Sequence, residues 1–185
     1  KMKKIKIISG GQTGVDQAAL DVALELGLEI GGWVAKGALD ENGENILDKY
    51  PQLKETPSDD PKQRTEWNVR DSDWSIICYP WLHEVSKGTL ESKGTDYTIE
   101  VVNSKNQSHS YVLNRDLYDP TYQKGEVPPQ AVVESTDLLE LDNNSIKPLV
   151  INVAGPRESE LPGVYEKTKE LLKEILEDLM REGRL

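Results

Sequence analysis

The chain has 185 residues and sets 33 Asp and Glu against 22 Lys and Arg, a formal net charge of −11. This balance excludes bulk binding to nucleic acid or to an anionic membrane, both of which need basic surface, while leaving room for a small anion held by backbone amides. The single cysteine excludes an internal disulfide framework and suits a reducing compartment, and no apolar run approaches the roughly 20 residues of a membrane-spanning helix.

In chain order, Ile5-Lys6-Ile7-Ile8 reads as a short buried strand, β-branched and closed by glycine. Ser9-Gly10-Gly11-Gln12-Thr13-Gly14 is a sharp turn. After it, Val15, Ala18, Ala19, Val22, Ala23 and Leu26 form a helical stripe that Gly27 ends. Leu28 to Val34 is expected to be one strand interrupted at Gly31-Gly32. Residues 36–57 contain Gly37, Gly43, Pro51 and Pro57 without a period and are expected to be a long loop. Ser58 is expected to cap a polar helix running to Arg70, with Pro61 in its first turn. Trp74 to Tyr79 is the next strand, residues 80–93 a loop, Gly94 to Ser104 a helix and Ser110 to Leu113 a strand. Asp119-Pro120 and Pro128-Pro129 punctuate residues 114–147, where Gln130 to Leu141 reads as a helix. Leu149 to Val153 is a strand. Pro162 to Glu182 has the most regular helical spacing in the chain, and Gly183 ends it.

Strands alternating with helices predict an α/β fold: a single Rossmann-like domain over residues 1–185, its sheet mostly parallel with helices on both faces. Its ligand site is expected at the carboxyl ends of the strands. No signal peptide is visible, Met2 reads as the natural start, and the expected location is cytoplasmic.

Three strand-to-helix loops carry the candidate chemistry, and in a parallel sheet all three open at one edge. Residues 1–36 carry a net charge of +1, whereas residues 37–75 and 76–147 each carry −5 and residues 148–185 carry −2. The first glycine turn, Gly10 to Gly14, therefore lies in the one segment that is not acidic. It lacks the GK[ST] ending of a triphosphate–magnesium loop. Its glycines let a ligand approach the backbone, Gln12 and Thr13 add donors, and Asp16 either accepts from a ligand hydroxyl or favours the first helical turn. The bland alternative is a turn made only for packing.

Lys93-Gly94-Thr95 with Thr98 is a second anion candidate, or simply a polar helix start. Gly155 and Arg157 form the third: the guanidinium either grips phosphate or pairs with Glu158 or Glu160. Arg64, Asn68 and Arg70 lie on the polar helix, which either lines a cleft or is a solvated face. Trp33 is placed to stack on a planar ring. The chain has no Phe, so Trp67 and Trp74 are expected in the core. His83 and His109 lack metal-ligand spacing, which supports no zinc site, and Cys78 reads as an inert buried residue.

Ser9-Gly10-Gly11-Gln12-Thr13-Gly14-Val15-Asp16 with Ala18-Ala19-Leu20-Asp21, Gly31-Gly32-Trp33, Lys36-Gly37, Gln63 to Asp73, and Asn152 to Ser159 with Pro162-Gly163 resemble one known family. It is the molybdenum cofactor carrier-like family, within the LOG-like, lysine-decarboxylase-like Rossmann superfamily. The resemblance implies a carrier or binding protein for a phosphorylated, ring-containing small molecule, either molybdenum cofactor or a nucleotide, with no further cofactor required. Lys36 joins the candidate ligand residues on this ground. The resemblance also implies a homodimer or homotetramer.

Two departures stand out. Lys93-Gly94-Thr95 stands where the family shows Gly-Gly-Thr, and residues 103–147 read as a divergent insertion. Related phosphoribohydrolases place a catalytic glutamate just after the Gly-Thr, where this chain has Tyr97 and Thr98. A nucleotide hydrolase would then draw its acid or base from Glu100, Asp16, Glu66 or Asp71. A sensor or sequestering protein for a nucleotide-derived signal is the third reading.

Overall fold

A computed structural model describes residues 4–79, 92–113 and 147–182. The expected helix over Gln130 to Leu141 and the side chains of Trp81 and His83 lie outside the described residues. The elements are β1 (Ile5–Ile8), α1 (Val15–Glu25), β2 (Glu29–Gly31), β3 (Trp33–Val34), α2 (Ile46–Lys49), β4 (Lys54–Glu55), α3 (Pro61–Arg70), β5 (Trp74–Tyr79), α4 (Lys93–Ser104), β6 (His109–Leu113), β7 (Leu149–Ala154) and α5 (Val164–Glu182).

Five strands form one parallel sheet in the order β2-β1-β7-β5-β6. The doubly wound nucleotide-binding sheet runs 3-2-1-4-5, with its first strand at the centre. Here β7, the last described strand in sequence, holds that central place, hydrogen-bonded to β1 on one side and β5 on the other. With β7 counted first, the order is the doubly wound one. The chain is therefore a Rossmann-like fold whose first βα unit has moved to the end.

Alternation along the strands builds two faces. Ile5, Ile7, Ile76, Ile151 and Val153 join Val15, Ala19, Leu172 and Leu176 in one core, under the packed pair α1 and α5. Ile77 faces the other way, with Val69 of α3 and Val101 and Val102 of α4. Trp74 is buried in the larger core. Consistent with the sheet being covered on both faces, the strands are apolar runs rather than strict alternations.

Four expectations change. The strand expected over Leu28 to Val34 is two: β2 in the main sheet, and β3 in a separate two-stranded sheet with β4. Gly32 divides them, with φ +127° and its Cα so close to β1's end that an added Cβ would lie 2.1 Å from the Ser9 carbonyl oxygen. The segment 36–57 is not all loop. Asn45 caps α2 by accepting from the Leu47 N–H, while Ile46, Tyr50 and Leu53 anchor the segment in the core.

The polar helix starts at Pro61, capped by Asp60 rather than by Ser58. A residue preceding proline is driven out of helical geometry, and Asp60 is extended with ψ 120°. Finally, α5 begins at Val164, because Gly163 has φ +89° and cannot be its first turn. No described helix is long and apolar enough to cross a membrane.

Candidate functional site

A cavity of about 470 Å³ opens at the carboxyl edge of the sheet. That volume lies within the roughly 300–1,000 Å³ of small-molecule sites. Its walls come from the loops after β1 and β7, from the start of α4 after β5, and from α3. The place is the crevice between β7 and β5, where the strand order reverses and an open α/β sheet takes its ligands.

The first turn contributes Gln12 and Asp16. Its amides do not form the expected open nest. The Gly11 N–H donates to Ser9 Oγ at 3.3 Å, the Gln12 N–H to Asp16 Oδ2 at 3.3 Å and the Thr13 N–H to Gln12 Oε1 at 3.2 Å. The head of α1 is also occupied, since the Val15 N–H donates to the Pro156 carbonyl at 3.2 Å. Gly14 has φ +76°, and an added Cβ there would meet that same carbonyl oxygen at 2.5 Å. Gly14 thus joins two loops, while Gly11 packs against Ile46 and Leu53.

Asp16 is buried, and desolvation pushes its carboxyl up to about 6 despite the Arg64 guanidinium 3.5 Å away and the Gln12 N–H. Arg64 leans from α3 across Gly10, where an added Cβ would lie 1.9 Å from its Nη1. Gly10 thus leaves the space in which Arg64 reaches Asp16.

The start of α4 is built differently. Ser92 stands at the N-cap but makes no side-chain cap; its hydroxyl shares a 2.6 Å hydrogen bond with Thr95 Oγ1. Lys93, Gly94, Thr95 and Thr98 all line the cavity. First-turn amides of a helix have no intrahelical partner, so this end presents donors and partial positive charge to the cavity. Among the described residues nothing lies within 4 Å of a Cβ added at Gly94, so packing against them does not require that glycine.

Of the third loop, Gly155 and Arg157 line the cavity. Gly155 sits against the Cys78 carbonyl, 2.5 Å from an added Cβ. Arg157 makes the anticipated ion pair with Glu160, its Nε 3.4 Å from the carboxylate. Glu158 instead caps α5, accepting from the Gly163 N–H at 2.6 Å and the Tyr165 N–H at 3.0 Å.

The remaining candidates lie elsewhere. Trp33 packs edge-on against Trp67, centroids 4.8 Å apart, and its indole N–H donates to Asp71 at 2.7 Å, so its ring does not line the cavity. Trp67 is half-buried under the Arg70 guanidinium rather than in the core, because α3 turns Thr65, Asn68 and Val69 inward. Arg70 is paired with Asp71 on the surface. Lys36 is exposed.

Asn68 is buried, but as a clamp: its Oδ1 accepts from the Trp33 N–H at 2.8 Å and its Nδ2 donates to the Trp33 carbonyl at 3.0 Å. Asn68→Ala leaves both backbone groups unpaired and is expected to cost about 2 kcal/mol, measured by urea unfolding. Of the four acid or base candidates only Asp16 lines the cavity. Glu100 is exposed, Glu66 accepts from the Tyr97 hydroxyl, and Asp71 holds Arg70 and Trp33. Burial pushes the Cys78 thiol up to about 12, so it carries no nucleophilic role. Among the described residues no group of His, Cys, Asp and Glu is arranged to hold a metal.

Ser92, Glu160 and Pro61 line the cavity without having been singled out from the sequence. Ser92 and Pro61 sit just before or at the start of helices whose later residues carry the candidate chemistry. Glu160 had been visible only as a partner for Arg157.

A parallel sheet in permuted doubly wound order, with a ligand-sized cavity at its switch point, defines a Rossmann-like α/β protein. The sequence model of the circularly permutated YpsA SLOG family matches residues 7–176, and the chain belongs to that family. The permutation in the family's description agrees with the central position of β7. The chain is also similar to a crystal structure of a putative molybdenum carrier protein from Syntrophus aciditrophicus SB, at 32% identity and a TM-score of 0.68. That match covers 94% of this chain and 96% of the other. No curated protein matches the chain.

Proposed function

We propose that the chain is a binding or carrier protein for a small phosphorylated, ring-containing molecule, seated in the cavity between β7 and β5. The observation that carries this reading is the start of α4, a helix end that Ser92 does not cap with its side chain, at Gly94 with Thr95 and Thr98, facing Arg64 and Gly155 across a ligand-sized space. A phosphate placed there meets first-turn amides, the Thr95 hydroxyl and a guanidinium, while the Thr98 hydroxyl donates to the Gly94 carbonyl at 3.0 Å. Pro61 and Arg64 of α3 supply the wall for the ring. The similarity to a protein described as a molybdenum carrier supports molybdenum cofactor, a pterin phosphate, as one ligand; a nucleotide is the other.

Gly94→Ala separates this reading from a packing role. Among the described residues the added methyl meets nothing, so the melting temperature is expected to hold. Affinity for the phosphorylated ligand is expected to fall by about tenfold or more, because the methyl occupies the space a phosphate needs to reach the amides. Calorimetry with a panel of nucleoside monophosphates and pterin phosphates gives the answer; no affinity for any of them by the unmodified chain ends the proposal.

A nucleotide hydrolase is the second reading, favoured by one observation. Asp16 lines the cavity with its carboxyl near 6, in the range a general acid or base needs at neutral pH. It requires product formation from the same panel, lost in Asp16→Asn.

A further inference from the structure

Glu41 comes from the segment between β3 and α2, yet its carboxylate sits among donors from two other loops. It accepts from the Thr13 hydroxyl and the Ser159 hydroxyl, and from the Ser159 N–H at 3.1 Å. Arg157 Nη1 lies 3.7 Å from it. Two hydroxyls, a backbone amide and a guanidinium converge on one anion. This is the donor chemistry that holds a tetrahedral oxyanion such as phosphate.

Two of the donors, Thr13 and Arg157, are also held by groups other than Glu41. Thr13 Oγ1 also accepts from the Glu158 N–H at 3.2 Å, and the Arg157 N–H donates to Glu160 at 2.8 Å. Gln12 Oε1 fixes the turn by accepting from the Thr13 N–H and, at 2.8 Å, from the Glu41 N–H. The Glu41 backbone is held separately, beside a turn in which Asp40 Oδ1 accepts from the Asn42 and Glu44 N–H groups. The side chain can therefore leave while the backbone stays.

We infer that Thr13, Ser159 and Arg157 form an oxyanion subsite at the cavity's rim, which Glu41 fills in cis and from which a phosphate-type anion displaces it. The subsite adjoins the cavity because Arg157 belongs to both. Burial alone would raise the Glu41 carboxyl, yet the Ser159 and Thr13 hydrogen bonds and Arg157 hold it below the usual carboxylate range, so these donors favour a charged occupant. The subsite stands on the Glu41 contacts. Only the assignment of the anion to the cavity ligand's own phosphate rests on the function proposed above.

The test titrates inorganic phosphate into the folded chain and into Glu41→Ala by calorimetry. Removal of a competing carboxylate is expected to tighten phosphate binding by about tenfold or more. Arg157→Ala in the Glu41→Ala background is expected to abolish the gain. Phosphate is also expected to raise the melting temperature of Glu41→Ala more than that of the unmodified chain.

If Glu41→Ala does not fold, Glu41→Gln serves the same comparison, with a smaller gain in the same direction. A folded variant that binds phosphate no better than the unmodified chain overturns the inference and makes Glu41 a structural latch. A nucleoside monophosphate tested in parallel separates the sources. A gain for both anions assigns the subsite to the cavity ligand's phosphate, and a gain for inorganic phosphate alone assigns it to a free oxyanion; either supports the subsite. Cavity binding with no Glu41 effect leaves the proposed function standing while the subsite falls. A Glu41 effect without cavity binding does the reverse.

Discussion

Gly32→Ala is expected to destabilise the protein by about 4 kcal/mol, the largest effect of any single substitution considered. Two independent terms add. The position has φ +127°, where an L side chain is strained, and the methyl would lie 2.1 Å from the Ser9 carbonyl oxygen and 2.8 Å from the Ser9 nitrogen. Both are backbone atoms, and the Ser9 N–H is tied to the Gly31 carbonyl at 3.3 Å, so neither can swing aside as a side chain would. Gly37→Ala is the control. Its φ is +97°, but among the described residues nothing lies within 4 Å of the added methyl. It retains the strain without the clash and is expected to cost about 1 to 2 kcal/mol. Urea unfolding of both variants decides; equal losses would mean that β1 and β2 separate freely and that Gly32 is not the pivot between the two sheets.

The second large effect is on pH dependence. The Asp16 carboxyl is raised from 3.8 to about 6, chiefly by burial, so in the folded state it keeps a proton that the unfolded chain has already released. Between these two values the folded state binds more protons, and stability falls as pH rises. The group contributes no penalty below about pH 4 and its full penalty above about pH 6, roughly 3 kcal/mol for a shift of about two units. Asp16→Asn cannot titrate. The stability of the unmodified chain relative to Asp16→Asn is therefore expected to worsen by about 3 kcal/mol between about pH 4 and about pH 8. Urea denaturation at both values measures it, and a constant difference would show that Arg64 fully compensates the buried charge.

The convergence of three loops on one edge was legible because it needs only the order of strands and helices, and the β-branched runs and glycine stops mark that order. That Asp16, Thr95, Thr98 and Arg157 line one cavity agrees with the same logic, whereas Arg64 comes from a polar helix whose sequence left a cleft wall and a solvated face equally open. What stayed hidden depends on contacts between distant segments. Nothing near Gly10 to Gly14 says that its amides are paired by Ser9, Gln12 and Asp16 side chains. Nothing near Trp33 says that Gly32 turns it out of the sheet toward Trp67. Glu41 is 118 residues from Ser159 and looked like one more charge in an acidic stretch.

The position of β7 bears on how the molecule assembles. Ile5 pairs with Leu149 and Trp74 with Ile151, so the strand that joins the β2-β1 side of the sheet to the β5-β6 side is also the one synthesised after them. Until Leu149–Ala154 emerges, those two halves share no hydrogen-bonded seam, and the crevice between β7 and β5 has only one wall. Contacts this far apart in sequence slow folding. In the native pairing the two sheet edges are joined only by this later keystone strand, and the cavity's wall of Ala154, Gly155, Arg157 and Glu160 arrives with it and the loop that follows.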